Sequence, residues 1–208
     1  MCKLIVPYSL IKRLMIFLAI MIAGFIITSC SENKSKNLFV TEKDDRLKYD
    51  TALYQVIKHH RQLYSMSCIP SAIELILKLN KKVDPNYFQL QEDWKEKADG
   101  TFADFDGKTI EGMIFTHHFK DSRDVKFPFE KLYKTIEAEL KEGRNVIISL
   151  PSGPGLWHMY IIGHQSADGD FIAYSRVHNV DSVFGIDKVK EKIEAVSGTD
   201  ILTYREVR

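Results

Sequence analysis

The chain has 208 residues, with 29 Lys and Arg against 28 Asp and Glu and a formal net charge of +1. Charges of both signs are interspersed, so there is no basic footprint for a nucleic acid, and that class of partner is set aside. Beyond its first thirty residues, the chain is long enough for one domain with a real core and too short for two.

Lys12 and Arg13 precede an apolar run from Leu14 to Ile27, which ends at Thr28, Ser29 and Cys30. A basic start, a short apolar stretch and a small-residue end are the parts of a secretory signal, and the run is too short and too abruptly ended for a membrane span. The segment Ile27-Thr28-Ser29-Cys30 resembles the lipobox of bacterial lipoproteins, which implies cleavage before Cys30 and lipidation on it. An uncleaved N-terminal anchor is the alternative; either way the domain is expected to be exported and tethered to a membrane of the bacterial cell envelope. Ser31 after the lipidated cysteine points to the outer membrane. Residues 1–30 are thus the signal and lipobox, the polar, aperiodic residues 31–46 a flexible tether, and residues 47–208 the folded domain. Cys2 leaves with the signal and Cys30 carries the lipid, so of the three cysteines only Cys68 remains as a free thiol.

Within the domain, Ile69, Ala72, Ile73, Ile76, Leu77 and Leu79 recur at helical spacing, with Pro70 suited to a first turn. This spacing predicts a helix that begins beside Cys68. Asp84 before Pro85 reads as a second helix start, followed by Tyr87, Leu90 and Trp94. Lys97 to Lys108 reads as a charged surface loop, and Thr109 as the cap of a short helix through Ile110, Met113 and Ile114. A clearer helix is expected from Phe129 to Glu142, with Leu132, Tyr133, Ile136 and Leu140 on one face and Gly143 as its stop. The pattern then changes to strands at Val146 to Leu150, His158 to Gly163 and Phe171 to Ser175, with Pro151 to Gly155 as a loop and Ala167-Asp-Gly-Asp170 as a hairpin turn. Ile186 to Val196 looks helical, and Ile201 to Val207 closes as a strand. Helices followed by a mostly antiparallel sheet is an α+β layout.

A thiol at a helix N-terminus is favoured as thiolate by the partial positive charge there. To act as a nucleophile it needs a base, a group that orients the base, and donors for the oxyanion. Gln62 offers a side-chain amide beside the Cys68 backbone N–H, and His158 begins a strand after a glycine-containing loop, where its ring can face the Cys68 helix from a sheet edge. The plainer alternatives are a small packing residue for Cys68, an exposed polar residue for Gln62 and a backbone-satisfied strand end for His158. Trp157 reads as a cleft wall or core residue. His59-His60 and His117-His118 are adjacent pairs that point apart on an extended chain and lack zinc-type spacing; Gly153 and Gly155 lack the Lys of a phosphate loop. No metal or cofactor is expected.

Gln62 and Cys68 at this spacing, then Leu140 to Leu150, then His158-Met-Tyr-Ile-Ile-Gly163, resemble in order and separation the bacteriocin-processing, double-glycine-cleaving peptidase family of the papain-like superfamily. The resemblance spans most of the chain after the tether. It implies a papain-like α+β fold in which the Cys68 helix packs on the sheet that carries His158. It also implies a cysteine peptidase or amidase: Cys68 attacks a peptide or amide carbonyl of a peptide or protein substrate, Gln62 holds the oxyanion and His158 serves as base. Two positions depart from the family. Ile69 stands where glycine is common, and Ser175 stands where the family has an aspartate, with Asn179 as a nearby alternative for orienting the ring. These departures motivate a second expectation, a non-catalytic papain-like lipoprotein that binds a peptide or partner, and a third, acyl transfer or deamidation at the same thiol.

Overall fold

The computed structural model describes residues 51–97, 100–120, 123–153 and 155–207. The expected signal, Cys30 and the tether lie outside them. The described helices are α1 (Thr51–His59), α2 (Cys68–Leu79), α3 (Gln89–Trp94), α4 (Phe129–Lys141) and α5 (Val189–Ala195), with a 3₁₀ turn at Phe102–Phe105. The strands are β1 (Thr109–Ile110), β2 (Met113–His118), β3 (Val146–Gly153), β4 (Leu156–Gln165), β5 (Phe171–Arg176), β6 (Val183–Ile186) and β7 (Ile201–Glu206). All seven form one antiparallel sheet in the order β1-β2-β7-β3-β4-β5-β6, so the fold is α+β. Among the described residues no helix is long and apolar enough to cross a membrane.

Both faces of the sheet are covered, which is why its central strands read as continuous apolar runs instead of alternating ones. On the front face α1, α2 and α3 bury Leu53, Ile57, Ile73 and Ile76 against Phe115, Ile147, Ile161, Tyr174 and Leu202. On the back face α4 and α5 bury Leu132, Ile136 and Ile193 against Ile148, Leu150, Tyr160, Ile162, Phe171 and Ile201. Successive strand residues therefore belong to different layers, and a single step along β3, β4, β5 or β7 exchanges front for back. Truncating a fully buried side chain in either layer, such as Ile76 on the front, costs about 2–5 kcal/mol.

The helices carrying the strongest apolar periodicity form as expected. α4 stops through the Gly143 turn at φ 74, with the N–H of Gly143 donating to Leu140 and that of Arg144 to Glu139, both at 2.9 Å. Elsewhere local signals gave way. The helix expected from Thr109 is instead the β1–β2 hairpin, because Glu111 and Gly112 take positive φ (48 and 76), the twist that a two-residue hairpin turn needs. Asp84 opens a turn, not a helix, by accepting from the N–H of Asn86 at 2.8 Å, and the helix begins only at Gln89. The loop expected from Lys97 to Lys108 holds the 3₁₀ turn, whose Phe102 and Phe105 enter the front core. The helix expected from Ile186 is divided: Ile186 ends β6 and α5 starts at Val189. β3 runs on through Pro151 to Gly153, and β4 lies inside the sheet between β3 and β5, not at its edge.

Candidate functional site

Cys68 is the first residue of α2 and is half-buried. The turn before it is fixed from below. The Ser67 hydroxyl lies 2.9 Å from the Tyr64 carbonyl and 2.8 Å from Gln91 Oε1, which also accepts from the Leu63 N–H at 2.7 Å. Gln91 Nε2 donates to the Arg61 carbonyl at 3.0 Å and to Glu74 Oε2 at 2.7 Å. Glu74 is fully buried, and burial pushes its carboxyl up to about 7, against the pull of the Gln91 hydrogen bonds. Beside it, Lys78 Nζ donates to His60 Nδ1 at 2.9 Å, and burial lowers that ammonium to about 8. One buried polar network thus ties α2 and α3 to the segment that presents Cys68.

The thiol opens on a cleft of about 250 Å³. Ile69 and the exposed Met66 flank it, Thr101 and Phe102 form one wall, and Ser149, Trp157 and Met159 rise from the front of β3 and β4. Burial raises the Cys68 pKa above its ordinary value, an effect larger than the opposing hydrogen bonds from the backbone N–H groups of Ile69 and Cys68. The helix N-terminus therefore does not by itself make a thiolate here.

His158 was expected to face this thiol, and strand parity puts it elsewhere. Met159 belongs to the front core, while Tyr160, edge-on to His158 at 5.3 Å, belongs to the back. His158 Nε2 donates to Ser175 Oγ at 2.7 Å and to the Arg176 carbonyl at 3.0 Å, and the Ser175 hydroxyl in turn donates to the Met159 carbonyl at 2.6 Å. Ser175 thus touches His158, as the aligned position implies, but on the back of the sheet. Deep burial lowers the imidazole to about 4, against the pull of the hydrogen bond to the Arg176 carbonyl.

Gln62 and Asn179 fall into a second cavity of about 370 Å³, apart from the residues around Cys68. The Gln62 amide donates to the carbonyls of Tyr64 at 2.9 Å and Ser65 at 3.1 Å, so its N–H groups hold the turn and are not free for an oxyanion. Asn179 takes φ 61 in the loop after β5. The same cavity is lined by Arg61, Arg176, His178 and Asp181.

Three chemically active side chains on the Cys68 face were not foreseen. His117 is in phase with Met113 and Phe115 on the front of β2, and its Nε2 donates to Asp200 Oδ2 at 2.9 Å. Asp200 lines the Cys68 cleft, and Arg123, also in that cleft, donates to its other oxygen at 3.0 Å while stacking on Trp157 at 3.8 Å. His117 Nδ1 is buried and has no partner among the described residues. The alternation Met113, Phe115, His117 carried this signal, and the helical reading of Thr109 hid it; nothing local pairs Arg123 with Asp200.

Compared with known proteins, the chain matches no family model, no curated protein and no solved structure.

Proposed function

We propose that this chain is an exported, lipid-anchored protein of papain-like architecture that holds a peptide segment in the Cys68 cleft without cleaving it. The observation that carries this reading is that Trp157 and Met159, not His158, stand across from Cys68. The cleft combines an apolar floor for one side chain with hydroxyls at Thr101 and Ser149 and an ion pair at Arg123 and Asp200, the mixture that a peptide segment with its amide groups requires. Burial raises the Cys68 thiol and lowers the His158 imidazole, both toward the uncharged form, which works against the thiolate–imidazolium pair on which a cysteine peptidase depends.

The test is the pH dependence of Cys68 alkylation by iodoacetamide, followed by mass spectrometry on the Cys68 peptide. The expected rate follows a thiol titrating above the ordinary value of about 8.5 and is unchanged in His158→Ala. A rate that stays high near pH 6 and falls in His158→Ala would overturn the proposal. A hydrolytic reading, in which the Cys68 thiolate attacks a peptide or amide carbonyl, is favoured by one specific arrangement: the His117–Asp200 pair on the Cys68 face. In that reading His117 takes the thiol proton, and His117→Ala slows alkylation while His158→Ala does not.

A further inference from the structure

We propose that Arg176 receives a free C-terminal carboxylate, so that the peptide held in the Cys68 cleft is one whose chain ends there. This rests on the peptide-binding reading above and adds the class of peptide to it.

Arg176 ends β5 in phase with Ile172 and Tyr174 on the front face, and it pairs with Val183 of the front core. Its side chain is only 4% exposed. Of its N–H groups, only one on Nη2 has an acceptor among the described residues, Asp181 Oδ1 at 3.0 Å, and Nε is buried without a partner. Asp181 is fully exposed, so water screens that pair strongly. Among the described residues Asp181 is the one carboxylate that pairs with Arg176; on the other side its charge is felt by His60, which stands between Lys78 and the buried Glu74. Buried guanidinium groups are normally paired and hydrogen-bonded, and this one is left short of acceptors where it borders a cavity.

The cavity suits a single negative charge. Arg61 and Arg176 against Asp181 leave one net positive charge among its arginines and carboxylate, so a carboxylate balances it and a phosphate dianion would meet Asp181 unopposed. Its position suits the end of a peptide in the neighbouring cleft. β4 and β5 pair as far as Ile161 and Tyr174, and the Ser175 hydroxyl then donates to the carbonyl of Met159, a floor residue of the Cys68 cleft, at 2.6 Å, so Arg176 directly follows a residue that touches the cleft floor. The segment that leads into α2 serves both sites, with Arg61 to Leu63 on the cavity and Met66, Cys68 and Ile69 on the cleft.

The experiment uses the full chain in detergent micelles and the tripeptide acetyl-Ala-Leu-Ala, as free acid and as carboxamide, with protection of Cys68 from iodoacetamide as readout. The free acid is expected to protect at about tenfold lower concentration than the carboxamide. Arg176→Gln should erase that ratio without changing protection by the carboxamide. Because Arg176 is buried, Asp181→Asn, at an exposed position, gives an independent variant and should tighten the free acid several-fold while leaving the carboxamide unchanged. Equal protection by acid and amide in the unaltered protein, with no response to Asp181→Asn, overturns the carboxylate site and leaves the cleft reading standing. If neither peptide protects Cys68, the cleft reading fails, and the site is judged by acetate and inorganic phosphate followed through the Arg176 side-chain NMR signals. A shift with acetate that exceeds the shift with phosphate and vanishes in Arg176→Gln supports it; no shift, or an equal one, overturns it.

Discussion

Two histidines mark the two faces of the sheet. His158, on the back, is enclosed by the Ser175 hydroxyl, the Arg176 carbonyl and the Tyr160 ring, all neutral. His117, on the front, donates to the Asp200 carboxylate, which Arg123 grips from the other side. The first arrangement satisfies a buried ring and excludes protons. The second orients the ring, with Nε2–H on the carboxylate and Nδ1 without a partner among the described residues, beside a cleft that contains a thiol. Facing is set by parity along a strand: Trp157 reaches the Cys68 cleft, and its immediate neighbour His158 cannot.

The largest effect should come from the network beneath the front site. Gln91→Leu removes the side-chain hydrogen bonds to Glu74 and to the Arg61 carbonyl and the acceptor shared by Leu63 and Ser67, and leaves only the backbone N–H of residue 91 donating to Glu74. A loss of about 4 kcal/mol in urea unfolding is expected, because several buried polar groups are orphaned at once. Alkylation of Cys68 should quicken, since the turn that presents it loses its attachment to α3. A loss under about 1 kcal/mol would mean that the network does not position the thiol.

The two faces should also respond to pH with opposite signs. His158 is held at about 4, below its ordinary 6.5, so the unfolded chain binds its proton first. Its contribution to stability is full above about 6.5 and is lost as pH falls toward 4, by about 3 kcal/mol in all. Glu74 is raised from 4.5 to about 7, so its contribution is full below about 4.5 and is lost as pH rises through 7, again by about 3 kcal/mol. Between about pH 4.5 and 6.5 the two slopes offset each other in the unaltered protein, so the unfolding free energy should rise with pH in Glu74→Gln and fall with pH in His158→Gln. Parallel profiles for the two variants would refute the assignment of these slopes to opposite faces.

How far the sequence could be read follows from the same parity. Cys68 at a helix start was legible because six apolar residues from Ile69 to Leu79 fix both the helix and its beginning. Strands β3, β4, β5 and β7 were legible as strands from their β-branched runs, but a run such as Val146 to Leu150, buried on both faces, carries no phase, so nothing told which of Trp157, His158 and Met159 would look forward. β2 had the opposite difficulty. Its phase was clean, yet Ile110, Met113 and Ile114 imitate helical spacing across a two-residue turn. The Arg123–Asp200 pair joins a loop residue to the entry of the last strand, 77 positions apart, and only the finished sheet brings them together.

Ser175→Ala should cost about 1 kcal/mol, the loss of one buried hydroxyl bridging His158 and the Met159 carbonyl, and should leave Cys68 alkylation unchanged. A change in thiol reactivity in this variant would show that the back face communicates with the cleft after all.

The smallest effect is expected on the front rim, at Arg123→Ala. The guanidinium is about one-third exposed, its ion pair with Asp200 is open to water, and its stacking on Trp157 is a rim contact. Pairs of this kind contribute about 0.5 kcal/mol, so the unfolding midpoint should barely move. Trp157 fluorescence should nonetheless shift to the red as water replaces the guanidinium; the only other tryptophan, Trp94, is buried against Phe105 and stays as it is. A destabilisation of several kcal/mol would mean that Arg123 holds the front site together, and the cleft would then be a structural seam. A spectral change without one means that the cleft mouth can be altered while the domain stays intact, the property a binding surface needs.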